Sequence, residues 1–315
     1  MIRVGVDGRE LSAGVRTGIG RYVVGVLRAV SQAGGECLVY GEETAGFNAA
    51  FSGVSYRTVS HGWTQWWDQV RLPRQLARDK VAVFLSPYYK GPLWAPCPVV
   101  LTIHDLFFIQ YVGRKRLVYD IVMTWLARLY VSRAAAVITD SEYSKRAIME
   151  RLGVLETKVT VIPVALGAEF RPQPLSDAVR HRYGITGPYI LHVGNFKPHK
   201  NLVRLLQAYA ALPETLRKTY RLVLAGGDRD HRPAVERLAW SLGVGGQVLF
   251  PGFIDEENLP AIYSGCELFI LPSLEEGFGL PALEAMACGA PVVATNHAAV
   301  PEVVGQAAVL FDPED

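Results

Sequence analysis

Glu267-Leu-Phe-Ile-Leu-Pro-Ser273 runs into Leu274-Glu-Glu-Gly-Phe-Gly-Leu280 and then into Pro281-Ala-Leu-Glu-Ala-Met-Ala-Cys-Gly289. The apolar run at 267–271 predicts a buried strand, ended by Pro272-Ser273. A glycine loop follows, and Pro281 predicts the start of a helix. Proline suits the first helical turn because the amide it lacks has no partner there. Gly289 after Cys288 is a natural stop for a helix over 281–288. A new strand is expected at 291–294.

The same alternation extends in both directions. After residue 171, strands are expected at 189–193, 221–225, 247–250, 267–271, 291–294 and 307–311, and helices at 201–211, 233–242, 256–264 and 281–288. Leu202, Leu205, Leu206 and Tyr209 lie at i, i+3, i+4 and i+7, the buried stripe of the first of these helices. In the first half, strands are expected at 2–7, 37–40, 55–59, 81–85, 98–103, 135–139 and 158–163, with helices near 20–32, 66–78, 115–132 and 142–152. Such alternation indicates α/β architecture, with parallel sheets covered on both faces. Arg171-Pro172-Gln173-Pro174 breaks any helix or central strand. It divides the chain into domains 1–170 and 171–315. Two doubly wound, Rossmann-like domains facing a cleft are expected, with ligands beyond the carboxyl ends of the strands.

Half of the 315 residues are hydrophobic, enough for two cores. The net charge of +2 is uneven: 20 Lys/Arg against 14 Asp/Glu in residues 1–170, and 12 against 16 in 171–315. The excess is too small for a nucleic-acid partner. A basic first half fits an anionic acceptor or membrane face. The chain opens on a strand without a signal peptide, and no apolar run reaches the roughly 18 residues that span a bilayer. A cytoplasmic station, or a peripheral one on the inner face of the membrane, is expected. Cys37, Cys97, Cys266 and Cys288 are scattered, which predicts free thiols rather than a zinc site or disulfides.

The helix at 281–288 presents free N–H groups and partial positive charge at its N-terminus, where a diphosphate can sit without a metal ion. Gly277 and Gly279 let the backbone approach a ligand, or simply form a turn. Glu284, about one turn into the helix, either accepts hydrogen bonds from a ribose diol or is a surface charge. Glu276, ahead of the helix, can reach a sugar hydroxyl.

The string from Glu276 to Ala294 resembles the Glu-x7-Glu block of the retaining glycosyltransferases of family four (group 1), which have the two-domain GT-B fold. The resemblance implies that Glu284 holds the donor ribose and that Glu276 contacts the donor sugar. The amides of Gly277, Phe278, Gly279 and Leu280 would serve sugar and phosphate. His192–Asn201 resembles the family's glycine-to-lysine loop, in which Lys200 neutralises the leaving diphosphate next to Gly194. Many members carry an arginine at one of the positions held here by Asn195 and His199, and Lys197 is the alternative cation. Ala225-Gly226-Gly227-Asp228 resembles a loop that approaches the nucleotide, and a tight strand exit explains it equally. Phe253 and Ile254 fall in a segment similar to the one that reads the base edge.

In the first half, Gly18 and Gly20 resemble the family's first-loop glycines. Arg21 beside them is a phosphate contact or a surface charge. His104, at the end of a strand, resembles the residue that contacts the donor sugar near the reacting centre, although a His-Asp pair such as His104-Asp105 is commonly a cap or a core hydrogen bond. Thr139–Ser144 resembles another family loop, where Asp140 or Ser141 would cap the next helix. The aromatic stretches Trp63–Trp67, Tyr88-Tyr89 and Phe107-Phe108 read as core. The second reading is an acceptor groove or membrane patch, aided by Arg114-Lys115-Arg116.

The resemblance implies retaining transfer of a hexose, mannose ahead of glucose, from a GDP- or UDP-hexose to a hydroxyl of a glycan or lipid-linked acceptor. No cofactor and no metal are expected, since no Asp-x-Asp is read as holding a metal–diphosphate. Relatives usually continue for one or two more helices, so the second domain is expected to be incomplete. The rival functions are a sugar-nucleotide 2-epimerase and a non-catalytic sugar-nucleotide-binding subunit.

Overall fold

The fold comes from a computed structural model, which describes residues 2–13, 18–41, 52–58, 66–110, 117–227 and 230–315. Thr17, Trp63 to Gln65, Arg114 to Arg116 and Asp228 lie outside the described residues. The chain divides into two compact units, Met1–Ala165 and Leu166–Asp315.

The first unit contains β1 (Arg3–Asp7), α1 (Gly18–Gln32), β2 (Glu36–Gly41), β3 (Val54–Thr58), α2 (Leu72–Arg78), β4 (Val83–Ser86), β5 (Val99–Thr102), α3 (Phe107–Gln110), α4 (Leu117–Arg133), β6 (Ala136–Thr139), α5 (Glu142–Leu152) and β7 (Val159–Val161). A π-helical turn, Trp67–Arg71, leads into α2. The strands form one parallel sheet in the order β3-β2-β1-β4-β5-β6-β7. Side chains alternate across it. Leu38 and Tyr40 of β2 join the core on one face, and Cys37 and Val39 join the core on the other. Both faces are therefore covered, as parallel sheets require.

The second unit contains α6 (Asp177–Tyr183), β8 (Tyr189–Val193), α7 (Leu202–Ala211), α8 (Glu214–Thr219), β9 (Arg221–Ala225), α9 (Arg232–Ser241), β10 (Val248–Gly252), α10 (Leu259–Ser264), β11 (Leu268–Leu271), α11 (Leu280–Ala287), β12 (Val292–Thr295), α12 (Val300–Val304) and β13 (Val309–Phe311). Its parallel sheet runs β10-β9-β8-β11-β12-β13. Val223 and Ala225 of β9 pack on one side, Leu222 and Leu224 on the other.

The helices α3, α6, α8 and α12 were not expected, because each is too short to show a helical period. The ends of α6 are nonetheless written locally. Ser176 accepts the Val179 N–H at the start of α6, and Gly184, at φ +68°, ends it. All four cysteines are free, and burial pushes the Cys37 thiol up to about 12.

Candidate functional site

In the second unit the strand order turns back between β8 and β11. In open α/β sheets this is where ligands bind. The loop leaving β8 carries Gly194 to Asn201, and the loop leaving β11 carries Pro272 to Gly279. Lys200 closes a 3₁₀ turn, Pro198–Lys200, and its Nζ donates to Glu276 Oε1 at 2.6 Å. Ser273 Oγ donates to the same oxygen at 2.6 Å. Lys200 and Glu276 are both buried. Burial favours the neutral acid, but the Lys200 charge and the two hydrogen bonds outweigh it. They hold the Glu276 carboxyl below the usual carboxylate range. The two residues to which the sequence assigned separate tasks are thus a coupled pair.

Backbone bonds stitch the loops together. Leu274 N–H donates to the His199 carbonyl at 2.8 Å. Asn201, at φ +56°, donates through Nδ2 to the carbonyls of Pro272 and Pro313. Gly194 N–H donates to Ala225 and Gly226 N–H to Gly252. Gly226 sits at φ +144°, and a Cβ there would overlap the Gly194 carbonyl. The close approach of the two strand exits requires this glycine.

His192 is fully buried at the end of β8. Burial pushes its pKa down to about 4, so the ring is neutral at pH 7. Its Nδ1 lies 3.1 Å from the Ile270 carbonyl, which assigns the proton to Nδ1 and leaves Nε2 as an acceptor. That Nε2 has no hydrogen-bond partner among the described residues. His199 is also buried, with its pKa lowered to about 4, chiefly by burial and then by the Lys200 charge. Of the expected cations in this loop, Lys197 is exposed. Asn195 Oδ1 accepts the Lys197 N–H at 3.2 Å, so this side chain braces its own loop.

Gly279 caps α11 at φ +92°, and the helix begins at Leu280, one residue ahead of expectation. Gly289, at φ +80°, ends it. Glu284 is 1% exposed, which rules out a surface charge. Its Oε2 accepts from the Tyr263 hydroxyl at 2.8 Å. Gly277 is buried, and Phe278 and Leu280 are half-buried. Phe253 is exposed, whereas Ile254 packs in the core of the unit. One Asp-x-Asp does exist, Asp228-Arg229-Asp230 after β9, and its first two residues lie outside the described residues.

In the first unit, His104 Nδ1 meets Asp140 Oδ2 at 2.6 Å. The Tyr22 ring stands edge-on to the imidazole at 5.0 Å. Ser141, not Asp140, caps α5 by accepting the Ser144 N–H at 3.1 Å. The carboxylate is therefore available to orient the histidine. His104 Nε2 has no hydrogen-bond partner among the described residues. Gly18 opens α1 and is exposed, Gly20 is buried, and Arg21 is half-buried.

The first unit's sheet turns back between β1 and β4. A polar network there escaped the sequence reading. One Arg9 terminal nitrogen lies 2.5 Å from Asp7 and 2.8 Å from Asp68, and the guanidinium sits 4.2 Å over the Trp67 ring. Lys90 Nζ lies 3.5 Å from Asp68, and Tyr88 donates to Glu10 at 2.7 Å. Burial raises the Asp68 pKa against the pull of Arg9 and Lys90. Trp67 and Tyr88 thus belong to this network and are not an exposed aromatic patch.

Comparisons with known proteins bear on the family and the fold. Residues 16–167 match the model described as "Glycosyltransferase Family 4", and residues 178–315 match "Glycosyl transferases group 1". The chain is 34% identical over 231 residues to the Escherichia coli serotype-specific mannosyltransferase WbdA, covering 70% of this chain and 28% of WbdA. It is 32% identical over 226 residues to the Escherichia coli O-antigen chain mannosyltransferase B, covering 69% of this chain and 58% of that protein. The chain thus spans less than two thirds of the length of these relatives. The structure of Anabaena HepE in complex with UDP and glucose superposes with a TM-score of 0.76 at 20% identity, covering 100% of this chain and 87% of that one. That likeness shows the shared GT-B fold. The family models follow one another along the two units, and the chain belongs to the group 1 glycosyltransferases of family 4.

Proposed function

We propose that this chain moves a hexose, with retention at the anomeric carbon, from a nucleoside-diphosphate sugar to a hydroxyl of a glycan or lipid-linked acceptor. The observation that carries this reading is the buried Lys200–Glu276–Ser273 cluster at the turning point of the second sheet. The donor diphosphate would lie against the N-terminus of α11 and Lys200. An ammonium has three donors, so Lys200 can meet phosphate while still holding Glu276. Glu276 then orients a hydroxyl of the transferred sugar. Glu284, steadied by Tyr263, takes the ribose diol. Gly194 and Gly226 keep the floor of the loops thin.

As the bond from the anomeric carbon to the diphosphate breaks, charge builds on the leaving oxygen. Lys200 and the helix dipole stabilise that charge without a metal ion. The acceptor oxygen bonds to the same face, and its proton passes to the leaving phosphate. By family likeness, His104 serves the transferred sugar, with Asp140 fixing its tautomer. The first unit, with the Arg9–Asp68 network, takes the acceptor. With a lipid-linked acceptor, the chain would work at the inner membrane surface.

The matches to WbdA and mannosyltransferase B favour mannose and hence GDP-mannose, and the UDP bound to HepE supports a nucleoside diphosphate as the leaving group. The test is incubation with UDP-, GDP-, ADP- and dTDP-hexoses without acceptor. Slow release of nucleoside diphosphate from GDP-mannose is expected. Isomerisation of the sugar nucleotide would make the protein an epimerase, and binding without turnover would make it a binding subunit.

A further inference from the structure

β8 carries a histidine, His192, where a buried parallel strand ordinarily carries an apolar residue. The Ile270 carbonyl of β11 holds its Nδ1, and its Nε2 is an acceptor with no partner among the described residues. A buried acceptor left unpaired costs about 1–3 kcal/mol. An apolar side chain would fill the place without that cost, so the geometry asks which donor Nε2 serves. Gly194 locates the atom. A Cβ added there would lie 3.1 Å from His192 Nε2 and 3.8 Å from Lys200 Cε. The unpaired acceptor and the end of the lysine chain therefore border the same small space, which Gly194 leaves open by lacking a side chain.

Lys200 has donors to spare. Glu276 Oε1 is the one hydrogen-bond partner of its ammonium among the described residues, which leaves two of the three N–H bonds uncommitted. Ser273 Oγ donates to the same Oε1 at 2.6 Å, so the carboxylate keeps a partner if the ammonium turns away. The imidazole, the ammonium and the carboxylate are all buried, and each of the two charges acts on His192.

We propose that His192 is the positioning residue of Lys200: when a diphosphate binds, the ammonium turns about the end of its chain, donates one N–H to His192 Nε2 and aims another at phosphate. A neutral ring suits this task. A second carboxylate would orient the ammonium equally well, but it would cancel the charge that the leaving phosphate draws on. An imidazole whose proton is fixed on Nδ1 by Ile270 offers a lone pair and no charge. The inference rests on the proposed donor site and gives a role to His192, which the likeness of its loop leaves unassigned.

The experiment is calorimetric titration of the full chain with GDP and with UDP, on three variants checked by circular dichroism. His192→Phe removes both ring nitrogens. His192→Asn keeps a donor for Ile270 but no acceptor at the Nε2 position, and His192→Gln carries an acceptor to that position. His192→Phe and His192→Asn are expected to weaken nucleotide binding about tenfold, the worth of one charge-assisted hydrogen bond, and His192→Gln to stay within about threefold of wild type. The Asn–Gln contrast decides the matter even if His192→Phe does not fold. In the Lys200→Ala/Glu276→Gln background the differences among the three are expected to vanish, because His192 acts through Lys200. Binding by His192→Asn as tight as wild type would reduce His192 to an anchor on Ile270 and overturn the proposal. So would a loss in His192→Phe that persists without Lys200. Wild type that binds neither nucleotide would overturn the donor reading and this proposal with it, whereas wild-type binding matched by all three variants overturns this proposal alone.

Discussion

Replacing Lys200 by alanine leaves the Glu276 carboxylate buried beside Ser273 without its cation. Removing one partner of a buried pair typically costs about 3–5 kcal/mol. Here the loss has a ceiling, because the carboxyl can take a proton instead. With an unfolded pKa near 4.3, holding it neutral costs about 3.7 kcal/mol at pH 7 and about 1 kcal/mol at pH 5. The second unit of Lys200→Ala should therefore be about 3–4 kcal/mol less stable than wild type at pH 7, and about 1 kcal/mol less stable at pH 5. With a urea m value of about 2 kcal/mol/M, the midpoint falls by nearly 2 M at pH 7 and about 0.5 M at pH 5. The assay is urea unfolding read by brief proteolysis, with surviving fragments sized by mass spectrometry so that the first unit serves as internal control. Adding Glu276→Gln should recover most of the loss, since the buried charge is then gone. An unchanged midpoint, or a deficit that does not shrink at pH 5, would refute the buried pair.

Acid should weaken the second unit before it touches Glu276. The lowered pKa values of His192 and His199 mean that the unfolded chain binds their protons first. Their stabilisation is complete above pH 6.5 and is lost as pH falls toward 4, with a slope approaching two protons that His199→Asn should reduce. The depressed Glu276 pKa adds a further loss below the ordinary carboxylate range, seen as a steeper acid limb in thermal unfolding against pH. Asp140→Ala should leave donor affinity unchanged and lower turnover by about ten- to a hundredfold, the worth of a charge-assisted hydrogen bond, measured as nucleoside diphosphate release. Tyr263→Phe removes a donor to buried Glu284 and should cost about 1–3 kcal/mol of stability, along with weaker nucleotide binding by calorimetry.

The strands were legible because buried parallel strands read as short apolar runs. The strands β8, β9 and β11 fall within a residue of their expected positions. The stop of α11 at Gly289 was legible because glycine ends helices, and Pro281 marked its start to within a residue, whereas the cap at Gly279 was not read. The couplings were not. His104 with Asp140, Tyr263 with Glu284, and Lys200 with Glu276 lie 36, 21 and 76 residues apart. Such contacts depend on strand order, which periodicity does not encode. Two separate family-like segments, 192–201 and 276–294, marked Lys200 and Glu276 as charges with separate duties, and only the turning point between β8 and β11 brings them together. The Arg9 network left a fainter signal, an Asp at the end of β1 with an Arg two residues later, and its partner Asp68 enters through a distant turn.

The central claim is that a nucleoside-diphosphate sugar sits at the carboxyl end of the second sheet. Hydrogen–deuterium exchange with and without GDP-mannose tests it most directly. Protection is predicted in the loop 194–201 and across 273–284, with little change in α4 and reduced protection in Lys200→Ala. Protection confined to the first unit, or none at these two loops under conditions where the sugar nucleotide is turned over, would contradict the account.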